Sequence, residues 1–201
     1  PFGLLSGVLV GPASVPNGRA CGCVCPGCKR PLFAYNQGEV RDPYFGHAPG
    51  EDCDRGTETA LHMAAKLALV TAKRMSRPGL VKPVVSDPLA DGPRYQAEVI
   101  EQAVMALYDE MHDERDVKIS GESSSSSSFV RPDVRATAGE LVDWIEIRVT
   151  NAVSVDKQLA MQKAGMRVIE VDMRMLPRQR VSLEEVRSFV VDELTCKRWI
   201  A

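Results

Sequence analysis

No apolar run in this sequence is long enough to cross a bilayer. The apolar opening from Phe2 to Val10 falls well short of the roughly 20 residues that a spanning helix needs. It has no basic stretch before it, as a secretory leader would, so it reads as a strand, and no membrane association is expected. Excess charge is equally scarce. Lys and Arg number 25 against 27 Asp and Glu, a formal net charge of -2, so any nucleic-acid surface has to be local. The arrangement of the cysteines argues against a disulfide scaffold. Of six, five lie between Cys21 and Cys53 at metal-ligand spacing and Cys196 stands alone, a pattern of a reducing, cytoplasmic compartment. The chain opens on Pro1 and not on Met, so it is expected to lack its true N-terminus.

What is present is ordinary in bulk. With 201 residues, 44% apolar and 26% charged, the chain can bury a core. One main domain with a small metal module is the expected organisation. The module is marked by Cys25-Pro26-Gly27-Cys28, followed by His47 and Cys53. Three thiolates and an imidazole complete a closed tetrahedron around zinc, the signature of a structural site. Cys21 and Cys23 lie close enough to compete, but they belong to the incoming strand, and the preferred set is Cys25, Cys28, His47 and Cys53. Leu32 to Tyr35, the Gln37-Gly38 turn and Tyr44-Phe45 predict a hairpin between the two ligand pairs.

The strongest helix runs from Thr57 to Arg74, with Thr57 or Asp54 as cap and Pro78 beyond its end. The four prolines of residues 76–94 predict loop. Ala97 to Tyr108 fits a helix or an edge strand. Asp109 to Asp116, with His112, reads as a solvated face or turn. Residues 120–128, rich in serine, predict a flexible loop. Beyond them the pattern sharpens: a strand Phe129 to Ala136, a turn at Gly139, a strand Leu141 to Thr150 and a helix Val155 to Ala164 closed by Gly165. A strand Met166 to Asp172 and a helix Ser182 to Trp199 follow, the latter with Ser182 and Glu185 in capping-box spacing. The expected fold is α/β, a mixed sheet flanked by helices. Residues 1–55 carry the strands and zinc module, and residues 56–201 form the second domain.

A period of two along the paired strands puts Arg131, Asp133 and Arg135 on one side and Glu146 and Arg148 on another, with Ile145, Ile147 and Val149 opposite these last. A short turn then brings Asp133 near Glu146. Two crowded carboxylates call for a cation between them, and hard oxygen ligands suit Mg²⁺ or Mn²⁺. Such an ion activates water and neutralises charge on a phosphodiester. Alternating acids on an exposed sheet face are common, so the pair alone decides little.

The whole set, in order, resembles the competence protein CoiA-like family. Cys25-Pro26-Gly27-Cys28, Leu32, Tyr44-Phe45-Gly46-His47 and Cys53 are similar to its zinc-finger segment. Glu58, His62 and Lys66 are similar to its Glu-x3-His-x3-Lys helix, and Arg131-Pro132-Asp133-Val134 and Ile145-Glu146-Ile147-Arg148 resemble PD-(D/E)xK nuclease strands. The match covers about residues 20–172. It implies a restriction-endonuclease-like fold and hydrolysis of DNA, leaving 5′-phosphate and 3′-hydroxyl ends. Asp133, Glu146, Glu58 and the Ile147 carbonyl would hold Mg²⁺ or Mn²⁺, with His62 contacting water or phosphate. Arg131, Arg135 and Arg148 flank the site as nucleic-acid contacts.

The departure is Arg148, where such folds carry Lys. A guanidinium stays protonated and is no general base, but it can clamp phosphate, and Lys66 or Lys157 is placed to supply an ammonium. The alternative is a non-catalytic zinc-containing DNA- or protein-binding module on a degenerate nuclease fold. Strandedness, sequence specificity and biological setting are left open. So is a homodimer, the usual assembly of nucleases that cut both strands. Trp144 lines a groove or packs in the core. Lys163, Arg167, Arg174, Arg178 and Arg180 make the later half locally basic.

Overall fold

The structure, a computed structural model, describes residues 1–51, 53, 55–87, 94–113, 117–119, 128–177 and 180–201. The serine-rich loop expected over 120–128 falls mainly outside these residues, as do Asp54, Arg178, Pro88 and Pro93. Phe2 to Val10 is a hairpin of two short strands, β1 (Gly3–Leu5) and β2 (Val8–Val10). Ser6 and Gly7, both at positive φ, turn the chain between them as a two-residue hairpin loop requires. β3 (Phe33–Tyr35) and β4 (Tyr44–Gly46) form the hairpin expected between the ligand pairs. Tyr35 and Tyr44, cross-strand partners, stack at 4.8 Å.

Helix α1 (Gly56–Ala72) follows at once. Its Ala60, Leu61, Ala64, Ala65, Ala68 and Leu69 are buried, an apolar stripe at helical spacing. Lys73, in the left-handed region, ends it. Residues 76–94 are not mostly loop. β5 (Arg74–Arg77), β6 (Leu80–Asp87), β7 (Arg94–Glu101) and β8 (Val104–Leu107) fill much of this stretch and Ala97 to Tyr108. β6 pairs with β7, which lets Pro83 sit in a two-stranded ribbon where a missing N–H is tolerated. Asp109 to Asp116 is also more than a turn, because β9 (Glu110–Asp113) forms one edge of the largest sheet.

The expected strand Phe129 to Ala136 is broken in two. β10 (Val117–Ile119) pairs with β11 (Ser128–Val130), and a separate strand β12 (Val134–Ala138) begins after Pro132. Val130 and Val134 consequently enter different cores and do not share a face. β12 turns through Gly139 into β13 (Leu141–Arg148), then α2 (Val155–Lys163), β14 (Arg167–Asp172), α3 (Leu183–Val191) and β15 (Lys197–Trp199). The C-terminal helix is half its expected length. The last residues pair instead with β14 as a sheet edge, while Lys197 Nζ binds Ser76 Oγ at 2.8 Å and Trp199 Nε1 donates to the Pro78 carbonyl at 2.9 Å. Ser182 and Glu185 do form the capping box.

The result is a mixed α/β architecture. A five-stranded sheet runs in the order β15-β14-β13-β12-β9, with β13 and β14 parallel and the other pairs antiparallel. Ile145, Ile147, Ile169 and Val171 pack on one face against α1 and α3. Val168 and half-buried Trp144 pack on the other against Met161 of α2, with Val130 and Ile200. Among the described residues no helix is long and apolar enough to cross a membrane.

One polar cluster lies inside this frame. Asp143, fully buried, receives Arg77 at 3.3 Å, Arg167 at 2.9 Å and the Tyr108 hydroxyl at 2.9 Å, and both arginines also reach Glu101. Replacing Asp143 with Ala leaves two guanidiniums to share Glu101. The expected loss is about 3–5 kcal/mol of unfolding free energy, measured by denaturant titration.

Candidate functional site

The cysteine–histidine cluster comes first because α1 starts on it. The ligand atoms of Cys25, Cys28, His47 and Cys53 all lie within 4.8 Å of one another, and among the described residues this is the group positioned to hold a metal ion. The Cys25 and Cys53 sulfurs are 3.8 Å apart. Two thiolates, each about 2.3 Å from a tetrahedral zinc, stand about 3.8 Å apart as well. Cys28 Sγ and His47 Nε2 are 3.2 Å apart. The donor set and its spacing therefore fit zinc. Burial pushes the Cys28 thiol up, but hydrogen bonds from the Arg30 backbone and side chain, with those from Cys53 and Cys25, together outweigh it and bring the thiol down to about 6.

Cys21 and Cys23 turn away from this cluster. Cys21 Sγ faces the Leu32 carbonyl at 3.2 Å and Cys23 Sγ the Cys21 carbonyl at 3.4 Å. Burial, with Cys21 alongside, pushes Cys23 up to about 11. Both pack with Val15, Leu32 and Ala34 as small apolar side chains.

Gly56 opens α1 directly against the ligands. A Cβ there would stand 3.0 Å from Cys25 Sγ and 3.3 Å from Cys53 Sγ, so only glycine lets the helix approach so closely. The next turn carries Glu58, then Thr59 and His62, into a cavity of about 610 Å³ at the end of the central sheet. Asp133, Glu146, Ile147 and Arg148 come from the sheet, and Ser154 and Lys157 from the start of α2.

Register explains the convergence. β12 and β13 pair with Val134 opposite Ile145, so one step earlier Asp133 stands opposite Glu146. Pro132 has just broken the strand, and the Asp133 side chain folds over the open ladder end. Its Oδ2 accepts from the Ile147 N–H at 2.7 Å and its Oδ1 meets His62 Nε2 at 3.0 Å. Burial works against ionisation of Asp133, but His62 and that N–H outweigh it and hold the carboxyl below its usual range. Glu146 behaves oppositely. Burial pushes it up to about 7, although Lys157 Nζ sits 2.7 Å from Oε1. Apart from this ion pair, Glu146 Oε1 has no hydrogen-bond partner among the described residues. Glu58 accepts from the Thr150 hydroxyl.

The other residues singled out in the sequence are placed elsewhere. Lys66 is buried and pairs with Asp113 of β9. Arg135 lies over the Trp144 ring, 5.7 Å from its centroid. Arg131 contributes its carbonyl, which accepts from Lys157 Nζ at 2.9 Å. None of these three lines the cavity. Arg148 does, with Glu170 at 3.9 Å and Asp172 at 3.7 Å. His112 pairs with Glu110, and Cys196 is buried. Thr150 and Arg55, which also line or support the cavity, carry no motif of their own. Only their nearness to Arg148 and Cys53 in sequence marks them.

Compared with family models, curated proteins and solved structures, the chain matches none.

Proposed function

We propose that this chain is a divalent-metal-dependent nuclease of the restriction-endonuclease-like, CoiA-like kind, hydrolysing phosphodiester bonds of DNA beside a structural zinc. The observation that carries this reading is the meeting of Asp133 and Glu146 at one sheet end, with Glu58 and His62 arriving from α1 and Lys157 from α2. Carboxylate oxygens are the donors a hard cation prefers. Among the described residues the group already positioned for an ion is the cysteine–histidine one, so a cation here would have to draw these acids together. Glu146 Oε1 is buried with one ionic contact, and the Asp133 oxygens each keep a second lone pair.

Asp133, Glu146, Glu58 and the Ile147 carbonyl would hold Mg²⁺ or Mn²⁺. Bound there, the ion supplies Lewis acidity toward phosphate and a more acidic water. The chain's own residues do the rest. His62 keeps Asp133 ionised and oriented. Lys157 brings an ammonium to the position that Arg148 leaves without one, and Arg148 presents a fixed positive charge toward phosphate oxygens.

The test is incubation of labelled single- and double-stranded DNA with zinc-loaded protein, with and without Mg²⁺ or Mn²⁺. Cleavage that requires the added ion and vanishes in Asp133→Ala and Glu146→Ala is expected. Cleavage surviving in both variants refutes the site.

A second reading is a non-catalytic zinc-containing DNA- or protein-binding module on a degenerate nuclease fold. It draws support from the existing engagement of each acid: Glu146 with Lys157, Asp133 with His62, and Glu58 with Thr150. It predicts DNA or protein binding with no strand scission under any metal.

A further inference from the structure

Position 55 carries a cation where helix chemistry disfavours one. Arg55 is the N-cap of α1 and makes no side-chain cap hydrogen bond. The residues favoured there are Ser, Thr, Asp and Asn, and the positive end of the helix dipole repels a guanidinium. Arg55 is exposed, and among the described residues it forms no ion pair. The acid nearest along the helix, Glu58, is engaged by Thr150. Arg55 nevertheless lines the same cavity as Asp133 and Glu146.

Its backbone is held unusually firmly. A Cβ on Gly27, in the zinc knuckle, would lie 3.2 Å from the Arg55 carbonyl carbon, its oxygen and the Gly56 Cα. A Cβ on the adjoining Gly56 would likewise meet the Cys25 and Cys53 sulfurs, at 3.0 and 3.3 Å. The Arg55–Gly56 peptide thus packs closely on the knuckle and the ligand sulfurs, and the Arg55 carbonyl accepts from the Thr59 N–H at 2.9 Å. A surface arginine ordinarily has a free-swinging base. This one has its backbone packed against the Cys25 and Cys53 cluster, and it lines the cavity that holds Asp133 and Glu146.

We infer that Arg55 is a substrate-binding residue that contacts a backbone phosphate of the nucleic acid, and that the zinc cluster serves as its anchor. The inference rests on the nuclease reading and adds to it. The cavity holds Asp133, Glu146 and Glu58, which repel a polyanion, and a cation at the rim offsets that repulsion next to the scissile position. Arginine suits the task because its planar fork pairs two donors with phosphate oxygens. Arg55, not Arg131 or Arg135, then makes the contact beside the acids, since those two lie outside the cavity lining.

The experiment measures binding of the zinc-loaded full chain to fluorescent single- and double-stranded oligonucleotides. It is run over a series of KCl concentrations without added Mg²⁺, so that bound strands stay whole. Each neutralised phosphate contributes a slope of about 0.7 to 0.9 in log affinity against log salt. Arg55→Ala is expected to weaken binding at low salt and to lower that slope by about one contact, while Arg55→Lys keeps the slope. Zinc stoichiometry and Mn²⁺ affinity, read by atomic absorption and electron paramagnetic resonance, stay as in the parent. Gly56→Ala is expected to weaken zinc binding and lose the same slope, because it displaces the anchor. An unchanged slope and affinity in Arg55→Ala, in a protein that binds and cleaves DNA, overturns the inference and leaves the nuclease reading standing. A parent protein that binds no nucleic acid overturns both.

Discussion

Replacing Cys53 with Ser is expected to empty the zinc site and release the segment around it. The apolar core of this segment is small: Val15, Cys21, Cys23, Cys25, Leu32 and Ala34 are its buried members, and its strands are three residues each. So little buried surface does not hold a fold against chain entropy. A structural zinc contributes on the order of 10 kcal/mol of apparent folding free energy in small domains, comparable with the whole stability of a typical protein. The variant should lose zinc and lose hydrogen-exchange protection at the amides of Cys25, Lys29 and Leu32, which bond locally within the knuckle and its approach. Protection should persist across β12, β13 and β14, whose core belongs to a different cluster. Because Gly56 sits on the Cys25 and Cys53 sulfurs, the first turn of α1 should fray as well, and Glu58 with it. Amides near the knuckle that stay protected without zinc would show that the apolar packing suffices alone.

Legibility from sequence followed the range of the interactions. The cluster of Cys25, Cys28, His47 and Cys53, positioned to hold a metal ion, was readable because metal geometry restricts both residue type and spacing. α1, the capping box of Ser182 and Glu185, and the β13-α2-β14 unit were readable because periodicity and caps are local. The misjudged segments were decided by partners far along the chain. β15 is a strand because its backbone pairs with β14, and its side chains Lys197 and Trp199 reach Ser76 and Pro78, more than a hundred residues away. Helix-like spacing up to Trp199 contained no hint of these partners. β6 and β7 defeat the proline signal because, among the described residues, they pair only with each other. In the cavity, Asp133 and Glu146 were legible as a pair through strand alternation. The break at Pro132, which turns Asp133 over the ladder end, was not. Lys66 lies outside the cavity lining, though its charge is felt at Asp133, for a simpler reason. Helical spacing aligns it only roughly with Glu58 and His62, and Asp113, on a strand the sequence did not announce, takes its ammonium.

Lys157 is the residue whose removal should separate binding from chemistry. Its Nζ lies between Glu146 Oε1 at 2.7 Å and the Arg131 carbonyl at 2.9 Å, on a helix whose N-cap Ser154 also lines the cavity. An ammonium that close to Glu146 competes with any cation for the same oxygen, yet it is also the group able to meet charge building on a phosphate. In Lys157→Ala the first role predicts Mn²⁺ affinity raised by roughly tenfold, since the nearest competing positive charge is gone. The second predicts cleavage lowered by about 10²–10³-fold, the usual loss when a preorganised donor to the transition state is removed. Arg148→Ala should cost less, because Glu170 and Asp172 already share its charge. Tighter Mn²⁺ binding together with slower scission is the outcome that assigns the ammonium to catalysis. If Lys157→Ala cleaves at the parent rate, the lysine is only a structural partner of Glu146, and the helix contributes nothing to the reaction.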